Sequence, residues 1–281
     1  MKDRYRKIAG VALVGALLLA LFYPTLRWLV AEWLGNDYYS HGPLVPLISA
    51  FFAWRLWVKR PAAAEGRAGN ALLGLALALL GLGLYLYALL RSAYFLAALA
   101  MVVLIAGLVW YLLGTATLRR MAFPILFLIF MIPLPFVEPL SVPLAQITGN
   151  ISAECVRLFG VPIIVNGAQV SLPNVQLVVG AQCSGLRSIV TLLTLVAVVV
   201  FVLQGPWWAK ALLALSSLPI AALGNVLRVS SLLGVANTWG ADVGFTYYHD
   251  YSGIVFFFSA LVLLLVLSRV IGCREIREDI F

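Results

Sequence analysis

The sequence predicts an all-α polytopic membrane protein of about eight transmembrane helices, with a small interfacial helix and β-hairpin on the outer face before the sixth span. Three observations predict this fold. Of the 281 residues, 63% are hydrophobic and 11% are charged, whereas soluble domains carry about 25% charged residues. The mean hydropathy is +1.04. The basic residues fall in short clusters between apolar runs, which is typical of membrane topology.

Eight apolar segments approach or exceed the roughly 20 residues that a helix needs to cross a bilayer. They cover residues 8–30, 43–60, 71–90, 94–113, 121–138, 184–204, 209–236 and 252–272. No A-x-A-like cleavage site follows the first segment, so we interpret it as a retained span and not as a signal peptide. The fifth contains Pro133 and Pro135. Because proline interrupts a helix, we expect this span to be kinked or unwound at its end.

The basic residues also predict the orientation. With the N-terminal side taken as inside, the basic residues on the outer side are Arg27, Arg91, Arg157, Arg187 and Arg228, and the rest of the 19 lie inside. Positive charge concentrates on the cytoplasmic side, so we expect an integral protein of the plasma (inner) membrane with both termini in the cytoplasm. A nucleic-acid site would need the basic residues on one segment. We therefore expect membrane lipids, and no nucleic acid, as partners.

Residues 139–182 differ from the spans and form an outer-face insertion within a single integral-membrane domain, residues 1–281. Residues 139–160 mix polar and apolar groups at near-helical spacing, which predicts an interfacial helix. In the stretch VPIIVNGAQVSLPNVQLVV that follows, β-branched residues surround the turn formers Asn166-Gly167 and Pro173-Asn174. This pattern predicts one or two small β-hairpins. The insertion leads directly into the sixth span.

Three polar residues that are distant in sequence reach one depth in this topology. Cys183 precedes the sixth span on the outer face, and His249 precedes the eighth span on the same face. Arg228 lies about 19 residues into the seventh span, or about 28 Å along a helix, near the outer edge of the hydrocarbon core. A thiol, a guanidinium and an imidazole at one level can supply a nucleophile, an oxyanion stabiliser and an acid or base.

The residues around Cys183 favour this interpretation. A helix N-terminus stabilises a thiolate, and Ser184 and Gly185 allow the backbone to approach closely. Arg187 lies one turn further along the helix, and it could replace Arg228 as the oxyanion donor. These features make Cys183 a better candidate nucleophile than the other two cysteines.

Three further residues are candidates for substrate binding or support. Asn225 precedes Arg228 by one turn on the same helix face. Asp250 could orient the neighbouring His249, although adjacent side chains in a loop often diverge. His41, in the first outer loop, could be a ligand, a substrate contact or a packing residue, and its spacing favours packing.

Simpler interpretations exist for each of these residues. A cysteine in an apolar protein is usually inert packing, and Arg228 could extend to the outer headgroups. A Cys155–Cys183 disulfide is an alternative, since outer compartments are often oxidising. Cys155, Cys183, His41 and His249 could also bind zinc, but no two of them are closely spaced ligands. We therefore expect no metal and no cofactor.

Four motifs occur in chain order: NDYYSHGPLVP, GAQCSGLRS, GNVLRV and YYHDYSG. Over about residues 33–270 their combination resembles the exosortase/archaeosortase family. That family consists of multi-span transpeptidase-like enzymes acting on exported proteins with a C-terminal sorting signal, which is a motif such as Pro-Glu-Pro, a transmembrane segment and a basic tail. The resemblance implies that its proposed cysteine, arginine and histidine are Cys183, Arg228 and His249.

The resemblance thus implies a cysteine-type peptidase and transpeptidase that forms an acyl-enzyme thioester. A rival interpretation is a transporter or lipid-binding protein, in which the broken fifth span and a buried arginine contact an anion. A metal-dependent intramembrane hydrolase is a third possibility. We disfavour it because no HExxH motif or aspartate pair lies inside a span.

Overall fold

The computed structural model describes residues 2–59, 71–240, 242–278 and 280, with side chains from residue 15 onward except at 245–247, 249 and 250. The N-terminal basic side chains and the basic residues within 60–70 therefore lie outside the described part. The chain is mainly helical and carries a small three-stranded sheet. It divides into two compact units, Met1–Pro133 and Leu134–Phe281.

Within its described residues, the first unit consists of four helices and two 3₁₀ segments. The helices are α1 (Lys2–Gly35), α2 (Leu44–Lys59), α3 (Ala71–Leu90) and α4 (Tyr94–Phe127), and the 3₁₀ segments are Asp37–Tyr39 and Leu128–Met131. α1 packs against α3 through Tyr85, whose hydroxyl donates to the Leu21 carbonyl at 2.8 Å and accepts from Thr25. α2 packs on α4, where Ser49 donates to the Pro124 carbonyl.

Helices α3 and α4 pack closely because the residues between them are small. The buried residues of α3 are spaced four and three apart on one face: Gly74, Ala78, Gly81, Tyr85 and Ala88. A Cβ added at Gly81 would lie 2.6 Å from the backbone nitrogen of Leu104, and one at Gly107 would lie 2.4 Å from that of Ala78. Such small residues let the backbones of membrane helices approach each other closely.

Six helices in the described residues are long and apolar enough to cross a membrane, whereas the sequence predicts eight spans. One reason is that α2 has 16 residues, fewer than the roughly 20 that span a bilayer. The other is that the predicted fourth and fifth spans share one helical segment, Tyr94–Met131. Gly114 interrupts that segment with φ +86°. The segment ends at Met131, directly before Pro133 and Pro135, in agreement with the predicted break.

The second unit, in its described residues, combines four helices with the sheet. The helices are α5 (Ser141–Arg157), α6 (Leu186–Val202), α7 (Trp207–Trp239) and α8 (His249–Val270), and the strands are β1 (Ile164–Asn166), β2 (Gln169–Leu172) and β3 (Val175–Val178). Shorter 3₁₀ segments cover Glu138–Leu140 and Ala181–Cys183, and a π-helix at Val243–Tyr248 leads into α8. α5 lies inside the segment predicted to be an interfacial helix.

The strands form an antiparallel meander in the order β1-β2-β3. Gly167 at φ +63° lies in the first turn, where a left-handed conformation favours glycine. The second turn follows Leu172, which pairs with Val175. Val170 pairs with Leu177, and both side chains are buried. One face of the sheet therefore packs on the apolar residues of the insertion.

Two apolar clusters hold the second unit together. One joins α6, α7 and α8: Leu192, Val196, Leu213, Ala221, Ala260 and Leu264. The other joins α5, the sheet and α7, and includes Cys183. At its edge Ser152 of α5 donates to the Val226 carbonyl of α7 at 3.1 Å. Cys183 thus lies where the insertion packs on α7.

We predict that Gly81→Ala destabilises the protein and that Gly83→Ala does not. The new methyl at position 81 would collide with the backbone of α4, and overpacking of this kind costs about 1–3 kcal/mol. Gly83 lies on the same helix with nothing within 4 Å of its Cβ position. Thermal unfolding in detergent measures both variants. Equal melting temperatures for the two would contradict the close packing of α3 on α4.

Candidate active site

Cys183 closes the 3₁₀ turn Ala181–Cys183, and α6 begins at Leu186. The Cys183 side chain is 1% exposed. Gly185, the N-cap of α6, adopts φ +72°, a left-handed conformation that glycine tolerates best. The buried Ser184 accepts the Leu186 N–H through Oγ at 3.2 Å. The thiol therefore precedes the first turn of α6 and does not lie in it, and Ser184 caps that turn.

Asn225 of α7 holds the backbone at Cys183. Its Nδ2 donates to the Cys183 carbonyl at 2.8 Å and lies 3.4 Å from Oγ1 of Thr148 on α5. A Cβ added at Gly185 would lie 2.5 Å from the Asn225 side-chain carbon Cγ. The buried amide thus fits between α5 and the Cys183 turn because position 185 has no side chain.

Arg228 lies one turn after Asn225 on α7 and is half-buried. Its guanidinium is near enough to the Cys183 thiol for its charge to oppose the larger effect of the thiol's burial, and the Cys183 N–H donates to the Gly180 carbonyl at 2.9 Å. On the other side, Nε lies 3.4 Å from the Ser252 hydroxyl, and Cζ lies 3.6 Å from the Cβ position of Gly253. A nearby cation favours a thiolate, whereas burial among apolar residues disfavours it.

His249 is the first residue of α8. Its side chain and that of Asp250 lie outside the described part of the structure. Position 249 precedes by three and four residues the two α8 residues that contact Arg228, which are Ser252 and Gly253. Helical positions with this spacing share a face, so the α8 face that contacts Arg228 includes position 249.

The other predicted site residues have different surroundings. Arg187 is exposed in the first turn of α6. His41 belongs to the first unit, where it is buried and its ring stacks on Tyr39 with centroids 6.1 Å apart.

Cys155 and Cys183 are both free thiols. Among the described residues, no three His, Cys, Asp or Glu side chains are grouped as metal ligands.

A narrow cleft between α6, α7 and α8 is lined by residues that include Ser188, Asn225, Arg228, Gly253 and Phe256. Its volume is about 10 Å³, which is room for about one water molecule. A peptide carbonyl must come within about 3.5 Å of the sulfur to react. A reaction at Cys183 therefore requires the cleft and the buried thiol to open toward each other.

Four residues of this arrangement were not predicted as site residues: Gly180, Thr148, Ser252 and Gly253. Ser252 and Gly253 belong to the YYHDYSG motif, so their position next to the histidine was an available signal. Thr148 and Ser152 lie four residues apart on α5, and this spacing places two hydroxyls on one face. The Gly180 contact is made by backbone, which the sequence pattern does not distinguish.

The model of the transmembrane exosortase family (Exosortase_EpsH) matches residues 33–266. The chain belongs to the transmembrane exosortase family. No curated protein and no solved structure matches it. Membership in the exosortase family supports a transpeptidase-like role in the membrane. Every residue of the site, from Thr148 to Gly253, lies within the matched range.

We predict that Gly185→Ala increases the labelling of Cys183 by a water-soluble maleimide at least tenfold, because the methyl displaces the Asn225 amide and loosens the turn. Left-handed strain and overpacking together cost about 2–5 kcal/mol. The labelled cysteine is identified by peptide mass spectrometry, and the half-buried Cys155 serves as the internal reference.

Gly167→Ala is the matched control. Gly167 also has a positive φ, but nothing lies within 4 Å of its Cβ position. This variant carries the backbone strain without the collision, so Cys183 should be labelled at the wild-type rate. If the two variants label Cys183 equally, the Asn225 amide does not hold the turn.

Proposed function

We propose that the protein is a membrane-embedded cysteine peptidase and transpeptidase that cleaves the C-terminal sorting signal of exported proteins through an acyl-enzyme thioester on Cys183. One observation carries the proposal. A single face of α7 contacts the Cys183 carbonyl through Asn225 and, one turn later, brings Arg228 into the cleft that Asn225 also lines. A cysteine that only fills space needs neither interaction.

In this proposal the reaction has two halves. His249 takes the thiol proton as the Cys183 sulfur attacks the scissile carbonyl carbon. The carbon–nitrogen bond then breaks, His249 returns the proton to the leaving amine, and the acyl group stays on sulfur. An acceptor amine or water next attacks the thioester carbon, which releases the product and restores the thiol. The original thiol proton thus leaves with the amine, and the acceptor amine or water supplies the proton that restores the thiol.

Arg228 is the proposed oxyanion donor. A guanidinium offers several N–H donors in a fixed plane, and such donors stabilise developing negative charge most strongly where water is excluded. Ser252 and Gly253 lie against this guanidinium and would keep it oriented while the carbonyl oxygen gains charge. The exposed Arg187 is the weaker candidate, because water screens its charge.

Substrate docking would supply the opening that the closed cleft requires. The sorting signal's transmembrane segment can reach the protein by diffusing in the bilayer, which brings its motif to the level of Cys183. The cleft is lined by small residues on α7 and α8, including Gly224 and Gly253. Separating α8 from α7 there also moves Phe256 and Phe257, which line the same cleft, so binding energy from the substrate segment would have to drive the opening.

The proposed topology places this site on the outer face of the plasma membrane, with eight spans and both termini in the cytoplasm. The charge distribution supports this orientation. Exported proteins with a C-terminal sorting signal are the proposed partners. The signal's basic tail would then stay on the cytoplasmic side, while the residues to be cleaved lie outside.

We predict that Cys183→Ala abolishes cleavage of a co-expressed, tagged protein with a C-terminal sorting signal, a loss of at least about 10³-fold. Loss of the nucleophile removes the covalent route. The mass of the tagged protein on a gel measures cleavage. Cys155→Ala is the matched control and should cleave normally, because it removes a free thiol that has no role in the proposed reaction.

Arg228→Lys should reduce cleavage by about 10²–10³-fold, because lysine keeps the charge but loses the planar set of donors. Arg187→Lys should change it little. Cleavage that persists in Cys183→Ala would refute the thiol mechanism. A substrate of unchanged mass even with the wild-type protein would favour the transporter or lipid-binding alternative.

A further inference from the structure

The Asn225 side chain has one hydrogen-bonding atom that the protein leaves unused. Asn225 is 4% exposed, and its Oδ1 is buried without a hydrogen-bond partner in the described part of the chain. The identity of this atom follows from its neighbour. The Cys183 carbonyl only accepts, so the amide atom 2.8 Å from it must be the NH₂ group. The atom left over is therefore an acceptor.

An unsatisfied buried acceptor is destabilising, and folded proteins contain few of them. Asn225 does not simply fill a gap in the packing, because Gly185 has to lack a side chain to make room for the Asn225 amide. Half of the amide already holds the Cys183 turn. Asn225 also lines the cleft together with Arg228, and the unused Oδ1 is the half of its amide that is free to meet a ligand there. An acceptor at this place suits a ligand that brings a hydrogen-bond donor.

Asn225 and Arg228 lie three residues apart on α7, so their Cβ atoms are about 5–6 Å apart. One presents an acceptor and the other presents donors. In an extended chain, the N–H and C=O of one residue point to the same side, and a neighbouring strand binds both. The pair on α7 therefore has the polarity to bind one residue of an extended peptide by its backbone.

We propose that Asn225 Oδ1 accepts the backbone N–H of the substrate residue whose carbonyl Cys183 attacks, while Arg228 binds the oxygen of that carbonyl. This assignment rests on the proposed function and gives Asn225 two roles: its Nδ2 fixes the Cys183 turn, and its Oδ1 aligns the scissile residue. The cleft then selects for a backbone N–H at this residue, which every residue except proline can supply.

The test is a double-mutant cycle with the full-length protein in lipid nanodiscs. The substrate is a synthetic peptide with a Pro-Glu-Pro motif, a transmembrane segment and a basic tail, and product mass identifies the scissile residue. A second peptide carries an ester oxygen in place of that residue's N–H. Wild-type protein should cleave the ester-containing peptide about tenfold more slowly, as expected for one lost hydrogen bond.

In Asn225→Ala, cleavage of the parent peptide should fall, and the two peptides should differ by less than about twofold, because the acceptor is gone. Asn225→Asp loses the donor to Cys183 but keeps an acceptor, so it should be slower overall and still cleave the ester-containing peptide about tenfold more slowly than the parent. If Asn225 only supports the fold, its replacement should slow the cleavage of both peptides by the same factor.

The outcomes separate the two proposals. An equal penalty for the ester-containing peptide in wild type, Asn225→Ala and Asn225→Asp overturns the role of Oδ1 and leaves the proposed function standing. If wild-type protein does not cleave the parent peptide, the proposed function fails, and this assignment fails with it. Arg228→Lys is the matched control. It should cleave both peptides more slowly than wild type, and it should keep the wild-type difference in rate between the parent and the ester-containing peptide.

Discussion

The hydrogen bond from the Asn225 amide to the Cys183 carbonyl is the contact on which the site depends. It joins a helix to the turn that carries the thiol across 42 residues of sequence. The same amide lies beside Thr148 of α5, so three elements meet at one side chain. Because Arg228 follows one turn later on the same helix, fixing Asn225 against the turn also places the guanidinium near the sulfur.

This arrangement has a conformational requirement that the sequence meets at Gly185. Residue 185 must adopt a left-handed conformation and must also leave space for the Asn225 amide. Glycine meets both requirements. Burial of the amide, the hydroxyls and the thiol in one apolar cluster strengthens their interactions, since they compete little with water. The same burial closes the site, so the proposed reaction requires the contact between α7 and α8 to open.

Much of this site could be predicted from the sequence. Asn225 and Arg228 are predicted to share a face because their spacing matches a helical turn, and a glycine after the thiol indicates a close approach. The partner of Asn225 could not be predicted, because it is a backbone carbonyl and sequence patterns identify only side chains. Ser252 and Gly253 could have been included, because they follow the histidine by three and four residues, which is the spacing of one helix face.

The fold was likewise predicted in its main features. The helical spans follow from long apolar runs, and three short strands occupy the segment rich in β-branched residues. The segment Tyr94–Met131 is one helical segment where the sequence predicts two spans, and Gly114 interrupts it directly after the predicted fourth span, 94–113. A single glycine in an apolar run does not reveal whether it bends a helix or divides two.

The most direct test of the account is the capture of an acyl group on Cys183. Wild-type protein is mixed with a cleavable sorting-signal peptide without an added acceptor amine, quenched in acid and analysed by mass spectrometry. The account predicts an adduct with the mass of the peptide's N-terminal product on Cys183, which neutral hydroxylamine removes. Rapid cleavage with no adduct on Cys183, or an adduct on Cys155, would contradict it.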